Sequence, residues 1–113
     1  MNRPLTYLAV PYSSPDPEVR RQRFEAANRA AGKLMAQGHI VFSPISHTHP
    51  IAEACNLPLG WEYWQQFDRA YLAASRLMVI LTLDGWEESV GIAGERKICE
   101  DLGVPVEFME PEF

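Results

Sequence analysis

Residues 77–95 read Leu-Met-Val-Ile-Leu-Thr-Leu-Asp-Gly-Trp-Glu-Glu-Ser-Val-Gly-Ile-Ala-Gly-Glu, and their reading decides the fold class. Leu77 to Leu81 is apolar at every position, as a parallel strand covered on both faces requires. Asp84-Gly85-Trp86 breaks that run, and from about Ser89 helical spacing continues to Leu102 and stops at Gly103. A strand, a short Gly-bearing loop and a helix opening form a ligand-binding corner in open α/β sheets, because helix N-termini attract anions. Ser89 starts that helix, and Glu95 lies about 9 Å farther along its axis at about 1.5 Å per residue.

Upstream, Trp61, Trp64, Asp68, Tyr71, Leu72 and Ser75 share one face of a helix. Residues 4–10 form an apolar first strand closed by Pro11. The turn-rich segment Ser13–Pro17 precedes a helix of about five turns, carried by Val19, Phe24, Ala27, Ala31, Leu34 and Met35 and ending near Gln37-Gly38. His39–Phe42 reads as a second strand. The prolines of Ser43–Pro50 predict a long loop after it, with one helical turn at 50–55. Val104–Phe108 supplies a last strand, placed at a sheet edge by Pro105.

Strands alternating with helices and joined by right-handed crossovers predict a single α/β domain over residues 1–113. The expected architecture is a Rossmann- or flavodoxin-like three-layer sandwich with a four-stranded, or five-stranded, mostly parallel sheet. In strand order 2-1-3-4 the chain reverses direction between strands 1 and 3. Loops 11–17 and 83–89 then open beside each other, and the site is expected there.

The formal net charge of −5 and pI near 5.1 speak against nucleic acid polymers and anionic membranes as partners. No run approaches the roughly 20 apolar residues of a membrane span, and the N-terminus has no signal-peptide core, so a cytoplasmic protein is expected. Cys55 and Cys99 fit neither a disulfide framework nor a CxxC metal site and read as reduced thiols.

Glu95 is the leading candidate for chemistry, with Gly91 one turn earlier leaving room for a substrate. Asp68 shares its face with two tryptophans, where partial desolvation would raise its pKa and suit it to general acid work. The two would form the paired carboxylates that glycosidic cleavage uses. Tyr7, beside a carboxylate, would orient it through a hydrogen bond. Tyr12, Ser13 and Ser14 sit in the switch-point loop and are candidates for ligand contact. His47-Thr-His49 has no third ligand at suitable spacing, so no metal is expected and His47 is assigned to substrate contact. Arg20, Arg21 and Arg23 read mainly as a solvated face, with one able to reach a phosphate.

Tyr7-Leu-Ala-Val-Pro-Tyr12, Asp68 ahead of Ser75-Arg76 and an apolar strand, and Trp86-Glu-Glu-Ser89-Val-Gly91-Ile-Ala-Gly-Glu95 together resemble the nucleoside 2-deoxyribosyltransferase-like superfamily. The resemblance covers nearly the whole chain and is greatest to a branch of small bacterial and phage proteins, DUF1937-like. It implies that Glu95 attacks an anomeric carbon, that Tyr7 positions it and that Asp68 lies near sugar and base. It also implies that Ser89 binds a 5′-phosphate and that Trp86 and Gly91 belong to the substrate loop. The chain departs from the family pattern at Arg76, where Asp is usual, and at Val10, where Gly is usual.

The expectation is an N-glycosidase or deoxyribosyltransferase acting on a nucleoside or nucleoside 5′-monophosphate, with no cofactor. The rivals are a catalytically silent nucleotide-binding module and a protein-interaction domain. Trp61, Tyr63, Trp64 and Trp86 exceed what so small a core readily buries. With the superfamily's oligomeric habit they suggest a homo-oligomer, dimer or tetramer, whose acidic tail Glu110–Phe113 reaches a neighbouring pocket.

Overall fold

Strands and helices alternate along the chain, save for two consecutive helices before the third strand, in a computed structural model that describes residues 2–112. The elements are β1 (Leu5–Ala9), α1 (Pro17–Ala36), β2 (Val41–Phe42), α2 (Pro44–Cys55), α3 (Trp61–Ala73), β3 (Ser75–Leu81), α4 (Val90–Leu102) and β4 (Val106–Met109). Met1 and Phe113, the ends of the expected domain, lie outside the described residues, and with Phe113 the last residue of the acidic tail.

All neighbouring strands pair in parallel, in the order β2-β1-β3-β4. The sheet has four strands among the described residues, the smaller of the two expected sizes. Alternation of side chains along a strand splits the core in two. Leu8 of β1 and Val10 just after it join Leu77, Val79 and Leu81 of β3 beneath Ala27, Ala31 and Leu34 of α1. Tyr7 and Ala9 join Met78 and Ile80 on the opposite face, under Leu72 of α3 and Ile92, Ile98 and Cys99 of α4.

Local chemistry sets the helix ends. Asp16 caps α1 by accepting from the Glu18 N–H at 2.9 Å, and Pro17 follows in the first turn, where a missing N–H is harmless. Ser89 caps α4 by accepting from the Ile92 N–H at 3.2 Å, and Gly103, with φ of 71°, ends it in the left-handed conformation.

One expectation fails outright: residues 44–55 are not a loop with a single turn but the twelve-residue helix α2. Pro44 stands at its start, where proline is tolerated, and the Thr48 hydroxyl donates to the Pro44 carbonyl at 2.8 Å. Pro50, inside the helix, removes one N–H and crowds a carbonyl, ordinarily a cost of about 3 kcal/mol. Its ring is exposed, while burial of Pro44, His49 and Ala52 on the inner face offsets that cost. Boundaries shift elsewhere: Ser75 belongs to β3 rather than to the helix before it, and β2 keeps only Val41 and Phe42. Among the described residues, no helix is long and apolar enough to cross a membrane.

Candidate functional site

With β1 and β3 adjacent and their onward connections running to opposite sides, the segments after them flank a common opening. A cavity of about 570 Å³ lies there, within the roughly 300–1,000 Å³ typical of small-molecule sites. Its walls come from the β1–α1 loop, α2, the start of α3, and the loop and first turns leading into α4.

Three elements place acid–base groups at its inner end. Along α4 the buried stripe is Ile92, Glu95, Ile98 and Cys99, so Glu95 is a carboxyl in an otherwise apolar row. It is 5% exposed and faces Tyr7 of β1, which is fully buried. The Tyr7 hydroxyl donates to Glu95 Oε2. Asp68, on α3, comes close enough for its charge to act on both.

This grouping shifts every proton in it. Burial pushes the Asp68 carboxyl up from 3.8 to about 6, with the neighbouring Glu95 and Tyr7 groups acting in the opposite direction. Burial raises Glu95 well above the carboxylate range; the Asp68 charge adds to this, and the Tyr7 hydrogen bond opposes it. Tyr7 is raised by burial first and then by both carboxylates, so it stays a proton donor. A buried carboxyl and a half-buried one beside it do not both ionise readily, so near neutral pH the pair holds a proton between them. Beneath them, burial and the charge of Glu95 raise the Cys99 thiol to about 11, and it donates to Met78 Sδ at 3.7 Å. Cys99 and the exposed Cys55 are both free thiols.

Of the residues singled out by sequence, Glu95, Asp68, Tyr12, Ser13, Ser89 and Gly91 line the cavity, and Tyr7 supports it from below. Trp86 and His47 take other places. Trp86 lies across the α4-side core with its ring 5.5 Å from that of Phe108, because the turn after β3 folds it back over the sheet edge. His47 is exposed and its ring tilts against Phe42 at 5.8 Å. The formation of α2 is the reason: positions 47 and 49 face different sides of a helix, and His49 is the one turned inward. Neither belongs to a group of three metal-ligating side chains among the described residues.

Several lining residues escaped the sequence reading. Arg23, read as part of a solvated face, lines the cavity and ties its two loops together by donating to Ser13 O at 3.1 Å and Asp84 O at 3.2 Å. Gly85, with φ of 91°, lies so close to that guanidinium that a Cβ would come within 2.9 Å of it. Trp61 and Trp64, expected as an outward patch, form part of the wall. Gly94 makes this possible, since a Cβ there would stand 2.2 Å from the Trp61 indole. Two glycines three apart, Gly91 and Gly94, were the available sign that something large crosses α4 here.

A family model described as "Domain of unknown function (DUF1937)" matches residues 4–111. No curated protein matches the chain.

Proposed function

We propose that this chain, which belongs to the DUF1937 family, cleaves or transfers the N-glycosidic bond of a nucleoside or nucleoside 5′-monophosphate by a retaining route. The observation that carries the reading is the buried Tyr7–Glu95 hydrogen bond with Asp68 beside it at the inner end of the cavity. The resemblance to the nucleoside 2-deoxyribosyltransferase-like superfamily supports it, because that resemblance rests on these same three residues.

In the proposed reaction the Glu95 carboxylate bonds to the anomeric carbon while the bond to the base breaks. The electron pair leaves on the base nitrogen, and the proton that the two carboxyls share, passed from Glu95 to Asp68 as Glu95 ionises, goes to the base. A water or an acceptor hydroxyl then gives its proton to the Asp68 carboxylate and attacks the same carbon, freeing Glu95. Tyr7 keeps its proton throughout and steadies the ionised Glu95. Positive charge building on the sugar favours that ionised form, which offsets the burial that resists it. Indole walls at Trp61 and Trp64 suit an aromatic base. The Ser89 hydroxyl, the first turn of α4 and Arg23 suit an anionic end.

The test is chromatographic detection of free base after incubation with ribo- and deoxyribonucleosides and their 5′-monophosphates. Glu95→Gln keeps an acceptor for Tyr7, so it should fold like wild type and release nothing; full activity in that variant would refute the mechanism. Nucleotide binding without release by wild type would instead indicate a silent binding module.

A further inference from the structure

The proposed reaction leaves one buried cluster at the cavity wall unused. His49, on the inner face of α2, is 7% exposed. Its Nδ1 lies 2.5 Å from the hydroxyl of Tyr12, a cavity-lining residue. Its ring stacks on Phe24 of α1 with centroids 4.4 Å apart, which fixes its plane. Its other nitrogen, Nε2, is 4.0 Å from the Glu53 carboxylate one turn along α2. A carboxylate facing Nε2 favours the imidazole tautomer with hydrogen on Nε2 and a bare Nδ1. In that tautomer the bond runs from the Tyr12 hydroxyl to His49. Once that proton is committed, the Tyr12 oxygen has only lone pairs to offer the cavity.

We propose that His49 is a positioning residue for Tyr12, holding the phenol as a hydrogen-bond acceptor toward a ligand hydroxyl, with Glu53 setting the tautomer. The inference rests on the cavity being the substrate site and adds a selectivity to it: the ligand presents a hydroxyl donor, as a sugar does, at the wall formed by β1–α1 and α2. Neither His49 nor Glu53 lines the cavity, so both act through Tyr12. Arg20 also has reach to the phenol, and its charge acts on it in the opposite direction to that of Glu53.

The experiment has two parts. Long-range proton–nitrogen NMR on the unliganded wild type should show His49 as the Nε2–H tautomer; an Nδ1–H tautomer overturns the proposal without any variant. Kinetics then use the nucleoside 5′-monophosphate that wild type cleaves fastest. His49→Phe keeps a ring against Phe24 but removes the acceptor, and should raise KM about fivefold, the worth of one neutral hydrogen bond, with kcat unchanged. His49→Asn, which returns an acceptor near the Nδ1 position, should restore most of that loss. Adding Tyr12→Phe to His49→Phe should cost little beyond Tyr12→Phe alone. An active wild type whose KM is indifferent to His49→Phe, or strict additivity of the two changes, overturns this inference alone. A wild type that neither cleaves nor binds any nucleotide overturns the catalytic reading, and this inference with it.

Discussion

Replacing Gly94 by alanine tests the packing that shapes the cavity. A Cβ at this position would stand 2.2 Å from Trp61 Cζ2, 2.4 Å from Cε2 and 2.9 Å from Nε1. Ordinary contact begins near 3.4 Å, so the indole must retreat by about 1 Å. The obstacle is a rigid ring wedged between α3 and α4 rather than the tip of a flexible chain, so strain falls toward the upper end of the roughly 1–3 kcal/mol that overpacking costs. Alanine recovers about 1 kcal/mol of helix propensity, leaving a net loss of about 2 kcal/mol. Gly32→Ala is the internal control, because that α1 position has nothing within 4 Å of a new Cβ. It should gain about 0.5–1 kcal/mol from propensity alone. Urea unfolding followed by far-ultraviolet circular dichroism separates the two, provided the m-value is unchanged. Gly94→Ala as stable as wild type, or stabilised like Gly32→Ala, would refute the argument that Gly94 exists to admit Trp61.

Tyr7→Phe removes the donor that favours ionised Glu95, so the Glu95 pKa should rise further, read from its carboxyl band by difference infrared spectroscopy. The loss of a buried hydrogen bond should also cost about 1–3 kcal/mol of stability. The pKa of Asp68 in the folded protein, about 6, lies above its ordinary 3.8, so the native state holds more protons than the unfolded chain between those values. Stability should therefore fall, by up to about 3 kcal/mol at about 1.4 kcal/mol per unit, as pH rises from about 4 to about 6. Raised Glu95 extends the decline upward, and Asp68→Asn should flatten it in chemical denaturation across that range. Ser89→Ala removes the cap of α4 and should cost about 1 kcal/mol in thermal unfolding. Under the proposed reading it should also weaken 5′-monophosphates more than nucleosides.

Much of the fold was legible because its signals are local. The apolar run Leu77–Leu81, Asp16-Pro17 before α1, Ser89 before α4 and Gly103 after it each act within a few residues; the first lies inside β3 and the others mark helix ends. The alternation they punctuate fixes a parallel sheet and, with it, the end of the sheet where a site can form. The failure at α2 has the same origin. Local rules treat Pro44 and Pro50 as breakers, whereas the burial of His49 and Ala52 against the rest of the molecule decides the matter.

The sequence by itself determined the α/β alternation, the candidacy of Glu95, Asp68 and Tyr7, and the loop that leads to them. Only the tertiary structure decided which of those side chains meet. Tyr7 and Glu95 are 88 positions apart, and their hydrogen bond exists because β1 and α4 pack on one face of the sheet. His49 rather than His47 turns inward because α2 is a helix, Arg23 reaches the cavity because α1 starts at its rim, and Trp61 enters the wall because Gly94 leaves room. Each is a contact between residues distant in the chain, and such contacts form only when a folded core removes the alternatives that a local stretch leaves open.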